Sequence, residues 1–316
     1  MIYKDIIIIG GGPAGSTCAW RLRRAGADVL VLDKKAFPRQ KLCAGWIPPK
    51  VLRLLRINPH YYPHSLTRFD KLHFYIRGRH VAVPTRQYAI RRIEFDDWLL
   101  KRARVPVHQH NVVNIRKEAD GFILDETYRC RVLVGAAGTA CPVYRLFFKE
   151  TTPRFSQFQI TTHEQEFPYE WQDPNCYLWF FDNNLAGYSW YVPKSNGYLN
   201  IGIGAKVDAL RARHESIRQH WELLVAKLFK LGLIRNVNPT PGGWTYHLRQ
   251  KPARRQLGNA FIIGDAAGLA TLDMGEGIGP AVQSGLSVAE AILTDKKSQC
   301  KTAKLSAPVI LWPRLA

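Results

Sequence analysis

The stretch DIIIIGGGPAGSTCAWRLRRAGADVLVLDKK, Asp5 to Lys35, decides the fold. Four isoleucines, Ile6–Ile9, form a run too short for a buried helix and rich in β-branched side chains, which reads as a strand buried on both faces. Gly10, Gly12 and Gly15 follow in G-x-G-x-x-G spacing, and the segment Ser16–Ala25 then reads as a helix. A second apolar strand, Asp28–Leu32, ends at Asp33, eighteen residues after Gly15. Strand, glycine turn, helix and terminal carboxylate together predict a nucleotide-binding βαβ unit. Gly10 permits the tight turn, Gly12 leaves room for a pyrophosphate, and Gly15 lets the helix pack closely on the strand. The helix N-terminus directs backbone N–H groups at the phosphates, and Asp33 stands where a carboxylate accepts hydrogen bonds from a ribose.

A second element lies near the other end, in FIIGDAAGLATLDMGEGIGPAVQSGLSVAEAI (Phe261–Ile292). An apolar strand runs into Gly264-Asp265, then a glycine-rich turn, then a helix. Asp265 at the strand end is placed to bond a ribityl or ribose hydroxyl. Gly275, Gly277 and Gly279 allow close backbone approach at the start of the last helix. That helix start is suited to stabilise negative charge.

The 316 residues suffice for one large or two ordinary domains. With 46% hydrophobic and 22% charged residues the composition is that of a soluble globular protein. No apolar run approaches the length of a membrane span, and no secretory signal is expected. Six cysteines without C-x-x-C spacing argue against a zinc or thioredoxin-type site, and predict a reducing, cytoplasmic setting. The net charge of +20 reads first as a solvated basic surface, and otherwise favours anionic partners: nucleic acid, acidic headgroups or phosphorylated substrates. No nucleic-acid module accompanies it, so no specific nucleic acid is expected. His163, His214 and His247 lack a metal or triad pattern, and no metal is expected.

The two glycine elements together resemble the FAD-binding fold of the p-hydroxybenzoate hydroxylase-like flavoproteins, and within them the geranylgeranyl reductase family. Further motifs carry the resemblance from about Ile2 to Ile292. RQKLCAGW (Arg39–Trp46) is similar to the family's Cys-Gly-Gly segment beside the flavin, with Ala44 in place of the first glycine. RIEFDDWLLKRA (Arg92–Ala103) resembles its Arg-x-x-Phe-Asp helix, whose arginine approaches the cofactor. VLVGAAGTACPVYR (Val132–Arg145) resembles the second flavin-contact motif, with Ala137 where the family has Asp. YSWYVPKSNGYLNIGIG (Tyr188–Gly204) resembles the reductases' Tyr-x-Trp-x-Phe-Pro-Lys segment, with Val192 for Phe on a substrate-facing wall.

The resemblance implies an α/β protein: a discontinuous Rossmann-like FAD domain over 1–66, 88–148 and 252–316, with an interrupting β-rich α+β substrate domain over 67–87 and 149–251. The stretch 67–87 alternates as a hairpin about Arg77-Gly78, and a helix is expected over roughly Ser216–Leu231. Residues expected to contact FAD are Gly10, Gly12, Pro13, Ala14, Gly15, Asp33, Lys34, Arg39, Cys43, Ala44, Arg92, Val113, Ala136, Gly138, Gly264, Asp265, Gly275, Gly277 and Ile278. Tyr188, Trp190 and Pro193 are expected to meet the substrate. Cys43 is the candidate catalytic residue, as proton donor or control of access, with Arg39 and Lys41 as cationic neighbours; the alternative is a small buried residue. Cys141 reads as packing. After Ile292 the family continues with further helices, whereas this chain has a short basic tail ending APVILWPRLA.

A flavin passes a hydride to a substrate placed over it. No second dinucleotide motif is present, so the electron donor is expected to dock transiently, as NAD(P)H or an electron-transfer protein. The first reading is an FAD-dependent reductase of C=C bonds in an apolar isoprenoid or lipid-like substrate, cytoplasmic or peripheral on an anionic membrane. The second is a flavin monooxygenase or halogenase using NAD(P)H and oxygen, and the third a non-catalytic flavin-binding protein.

Overall fold

The computed structural model describes residues 1–251 and 254–294. Cys300, the basic tail and the end of the expected 252–316 segment lie outside the described residues. In chain order the first strands are β1 (Ile2–Ile9), β2 (Val29–Asp33), β3 (Trp46–Ile47), β4 (Leu66–Ile76), β5 (Arg79–Ile90) and β6 (Val107–Gln109). They continue with β7 (Ile115–Lys117), β8 (Phe122–Leu124), β9 (Tyr128–Gly135), β10 (Gln159–Pro168) and β11 (Cys176–Phe180). The last are β12 (Gly187–Lys194), β13 (Tyr198–Lys206), β14 (Gly242–His247), β15 (Gln256–Leu257) and β16 (Ala260–Ile262). The α-helices are α1 (Pro13–Arg24), α2 (Pro49–Leu54), α3 (Arg92–Ala103), α4 (Val207–Ala212), α5 (Ile217–Lys230) and α6 (Ile278–Thr294).

The first sheet has strand order β15-β16-β9-β1-β2-β6, with β7 and β8 continuing antiparallel from β9. β1 lies parallel to both β2 and β9, and β16 is parallel to β9. Its central strands are buried on both faces, which is why their sequences are continuous apolar runs. Ile6 and Ile8 pack with Ala14, Cys18 and Leu22 of α1 and Val288 of α6. Ile7 and Ile9 pack on the other side with Leu133, Phe148 and Leu269. Close packing of α6 on α1 needs Gly285, where a Cβ would sit 2.5 Å from the Ala14 carbonyl oxygen.

The second sheet has order β14-β10-β13-β12-β11-β4-β5-β3, antiparallel except where β11 meets β4. β4 and β5 form the expected hairpin, and its turn residues Arg77 and Gly78 both have positive φ, the geometry whose twist matches paired strands. β3 joins this sheet from within the stretch expected to belong to the first unit. One face of the sheet, through Tyr191, Ile201 and Ile203, is covered by Trp221, Leu224 and Leu228 of α5. Ser216 begins that helix with a reciprocal capping box to Gln219. The opposite face looks onto the carboxyl ends of the parallel strands. Ligands bind in that position in open α/β sheets.

Candidate functional site

A cleft of about 1070 Å³ runs between the two sheets. Its walls come from the turns after β1, β2, β9 and β16, the 39–46 loop, the start of α6, and the uncovered face of β10, β12, β13 and β14. The two glycine elements, separated by most of the chain, meet here. A Cβ at Gly264 would come within 3.0 Å of the Ala14 Cβ, and the Gly264 N–H donates to Ser284 Oγ of α6 at 3.0 Å.

At the first turn Gly10 has φ +110°, and a Cβ there would lie 2.4 Å from the Ala136 carbonyl oxygen, so no other residue fits the close approach of β1 and β9. Helix α1 starts at Pro13 with no side-chain cap and no acidic residue in its first turn. Its first N–H groups therefore remain available to an anion. Asp33, 8% exposed, closes β2, and its two oxygens accept from the Gly11 N–H at 2.8 Å and the Lys35 N–H at 3.0 Å. Those bonds fix the carboxylate while leaving lone pairs toward the cleft.

Deeper in, Arg92 of α3 grips Asp96 with two bonds of 2.7 Å, and Arg39 lies 3.5 Å from the same carboxylate. The Cys43 thiol lies in the field of Arg92, and its Sγ accepts the Gly45 N–H at 3.3 Å. The cationic neighbours of Cys43 are thus Arg92 and Lys41. The Cys43 carbonyl receives Asn200 Nδ2 at 3.4 Å, and Asn200 Oδ1 accepts the Trp190 indole N–H at 2.7 Å. This chain ties the Cys43 loop to the second sheet.

The sheet face under the cleft is a small grid. Register places Trp190, Gly202, Glu164 and Gly242 in one row across β12, β13, β10 and β14, and Tyr188, Gly204, Thr162 and Trp244 in the next. Tyr188 donates to the Met274 carbonyl at 2.6 Å and stacks on Phe180. Lys41 Nζ lies 3.4 Å from the centre of the Trp244 ring.

Glu164, Glu276 and Arg154 were not singled out from the sequence, and Lys41 only as a neighbour of Cys43. Burial pulls Lys41 down to about 8, with Asp265 opposing. Burial pushes Glu164 up to about 7, against Lys41, Lys194 and Arg92. Glu276 is likewise raised to about 7 by burial, against the Gly279 N–H that it accepts at the start of α6. Arg154 donates to the carbonyls of Thr139 at 2.6 Å and Ala266 at 2.7 Å, clamping the turn after β9 to the turn after β16. Lys41 lies in the Arg39–Trp46 segment and Glu276 in the glycine-rich turn before α6, whereas Glu164 and Arg154 stand in no recognisable motif. The one signal was an acid or base isolated among strand or turn residues.

Of the predicted site residues, Gly10, Gly12, Pro13, Ala14, Asp33, Lys34, Arg39, Cys43, Ala44, Arg92, Val113, Ala136 and Gly138 line the cleft. So do Gly264, Asp265, Gly275, Gly277, Ile278, Tyr188 and Trp190. Three expectations are corrected. Gly15 does not line the cleft; it is buried where a Cβ would sit 1.9 Å from the Gly10 carbonyl oxygen, so its part is packing. Pro193 pairs with Leu199 and, by strand alternation, shares the α5 side with Tyr191, away from the cleft. Val192 has the parity of Trp190 but is fully buried among Phe69, Phe74 and Leu178, beneath the wall rather than on it. Cys141 is buried in the core, as packing requires. Among the described residues no helix is long and apolar enough to cross a membrane.

The uncapped α1, the side-chain-free turn at Gly10 and Gly12, and the anchored Asp33 fit the ADP half of FAD. The glycines at 275 and 277, with Asp265 and the Cys43 loop, fit a flat ring system at the second turn. Residues 8–39 match the NAD(P)-binding Rossmann-like domain family. An uncharacterized protein of Methanosarcina barkeri is 30% identical over 93% of this chain and 76% of its own length. A menaquinone reductase of Mycolicibacterium smegmatis is 26% identical over 98% of this chain and 80% of its own. A digeranylgeranylglycerophospholipid reductase of Methanopyrus kandleri is 26% identical over 83% and 70%. The crystal structure of a geranylgeranyl bacteriochlorophyll reductase-like protein of Thermoplasma acidophilum superposes with a TM-score of 0.80, at 19% identity over 93% of this chain and 80% of that one.

Proposed function

Because the chain belongs to the geranylgeranyl reductase family of FAD-dependent oxidoreductases, we propose that it saturates C=C bonds of an apolar isoprenoid or lipid-like substrate. The observation that carries this reading is the continuity of one cleft. Its nucleotide end, at Gly10–Ala14 and Asp33, opens without a partition into an end walled by Phe180, Tyr188, Trp190 and Trp244. Aromatic walls suit a prenyl chain, which offers little but hydrophobic area.

In this reading Gly10, Gly12, Ala14, Asp33 and Lys34 hold the adenylate and pyrophosphate of FAD. Arg39, Arg92, Ala136, Gly138, Asp265, Gly275 and Gly277 border the rest of the cofactor. When bound, FAD supplies a hydride. The protein's own work is to place a double bond, exclude water and provide a proton. Cys43, held by the Gly45 N–H, faces that place and governs how closely a substrate approaches. The second sheet is the substrate-binding part and the parallel sheet the cofactor-binding part. The electron donor docks transiently, as NAD(P)H or an electron-transfer protein. The charge of +20 supports peripheral docking on an anionic membrane, where apolar substrates reside.

The test is anaerobic turnover. The purified protein is expected to be yellow and to release FAD by mass. With dithionite as reductant, prenyl substrates should gain two mass units per double bond. Absence of any saturation, with substrate-stimulated NAD(P)H and oxygen consumption and a hydroxylated or halogenated product in a parallel aerobic assay, would favour the monooxygenase or halogenase reading. Cys43→Ala should retain bound FAD while changing KM and the number of bonds reduced. Unchanged values would remove Cys43 from the site.

A further inference from the structure

Glu164 is 2% exposed, yet neither carboxyl oxygen is hydrogen-bonded to a protein group among the described residues. Its neighbour Glu166, two residues along the strand, is by contrast bonded to Arg91 at 2.9 Å and Lys194 at 2.6 Å. The side chain is enclosed by the sheet while its oxygens open on the cleft, where a ligand rather than a protein group can meet them. The register supplies the geometry. Glu164 stands on β10 between Gly202 of β13 and Gly242 of β14, two positions with no side chain on the cleft face. A Cβ at Gly202 would lie 2.2 Å from the Trp190 ring and 2.7 Å from the Glu164 Cβ, so the indole lies across the glycine against the glutamate. On the other side a Cβ at Gly242 would meet Leu42 at 2.7 Å, which sets the 39–46 loop over this edge of the sheet. The carboxyl thus borders the cleft beside the aromatic wall and the cofactor-facing loop.

We propose that Glu164 is the acid of the site, giving the proton that completes saturation of a double bond lying against Trp190 and Tyr188. The inference rests on the reductase reading above. The π pair of the double bond takes the Glu164 proton at one carbon, forming a C–H bond and breaking the acid's O–H bond. The other carbon receives the hydride that the cofactor supplies in this family, so the substrate is reduced by two electrons. The Glu164 carboxylate left behind is within electrostatic reach of Lys41 on the 39–46 loop, Lys194 on β12 and Arg92 on α3. It regains its proton from solvent at the cleft mouth. Glu166 on the same strand opposes its ionisation, and Tyr188 and Tyr246 face it as neutral phenols. Burial raises the group to about 7, so much of it keeps its proton near neutrality.

The experiment uses the flavin-loaded protein reduced by dithionite, with geranylgeranyl diphosphate and a prenylated naphthoquinone as probes. Glu164→Gln should lower kcat about 100-fold or more, with KM and bound flavin within about twofold of wild type. Wild-type kcat should fall about tenfold per pH unit above 7. That limb should vanish in Glu164→Gln and move to lower pH in Glu164→Asp, which should retain part of the rate. A Glu164→Gln enzyme with the wild-type rate or the wild-type pH limb would overturn the proposal. If wild type saturates neither probe, the reductase reading has failed, and a second measurement judges Glu164 alone. The wild-type-minus-Glu164→Gln infrared spectrum should keep a neutral carboxyl band at pH 6. Ionisation of that carboxyl below pH 5 would sink the assignment.

Discussion

Arg92 and Asp96, one turn apart on α3, form a two-point ion pair with both bonds at 2.7 Å and the carboxylate wholly buried. Arg39 approaches the same carboxylate at 3.5 Å, so one acid orients both guanidinium groups at the cleft. Asp96→Asn removes the negative charge and leaves Arg92 buried without a counter-ion. Breaking a buried pair in this way costs about 3–5 kcal/mol. The expected result is a much lower Tm and loss of FAD on gel filtration. A variant that keeps both would show that Asp96 is dispensable to the arrangement.

Gly202→Ala tests the seat of the indole. The added methyl would enter the Trp190 ring, and overpacking of this kind destabilises by about 1–3 kcal/mol. Altered tryptophan fluorescence and weaker prenyl-substrate binding should accompany the lower Tm. Gly243→Ala is the control, because its Cβ meets His163 only at 3.4 Å. Equal effects of the two would contradict the packing described.

Arg154→Met tests the clamp between the two turns. It deprives the Thr139 and Ala266 carbonyls of a charged donor, at about 1.5–3 kcal/mol for such a bond. FAD affinity should fall more than global stability does, since both turns border the cofactor cleft. Equilibrium dialysis against chemical denaturation separates the two quantities.

The pH dependence of stability follows from Glu164 and Glu276, both raised from an ordinary 4.5 to about 7. Between those values the unfolded chain ionises first and the folded state resists. Stability contributed by these groups is therefore full below pH 4.5 and declines as pH rises to 7, by roughly 3 kcal/mol for each. Lys41, lowered to about 8, acts in the opposite sense, adding stability as pH climbs from 8 toward 10.5. Denaturant melts of cofactor-free protein from pH 5 to 7 should show the decline, and Glu164→Gln should remove about half of it. A profile that rises over this range would refute the assignment.

Membrane docking through the basic surface predicts sedimentation with vesicles containing phosphatidylglycerol and not with pure phosphatidylcholine. Binding should weaken steeply between 50 mM and 500 mM salt, since charge attraction beyond a Debye length is screened. Equal binding to both vesicles would leave the charge without this role.

The glycine turns and the acid closing β2 were legible because each meets a local rule, whereas the aromatic segment of β12 was legible only by its resemblance to a family motif. A tight turn excludes Cβ atoms, a strand buried on both faces reads as an unbroken apolar run, and a helix start leaves N–H groups for a phosphate. Those rules act within about thirty residues, so the chain determined its cofactor fold and most of the residues that line the nucleotide end of the cleft. The sides taken by Pro193 and Val192, the clamp made by Arg154, and the isolation of Glu164 were decided only in three dimensions. A strand's own sequence says that neighbours alternate, but which face looks on the cleft depends on its partners. Whether a carboxyl finds a bond there depends on register with strands far along the chain. Glu164 stands open because Gly202 and Gly242 fall opposite it, and that coincidence exists only once the sheet has formed.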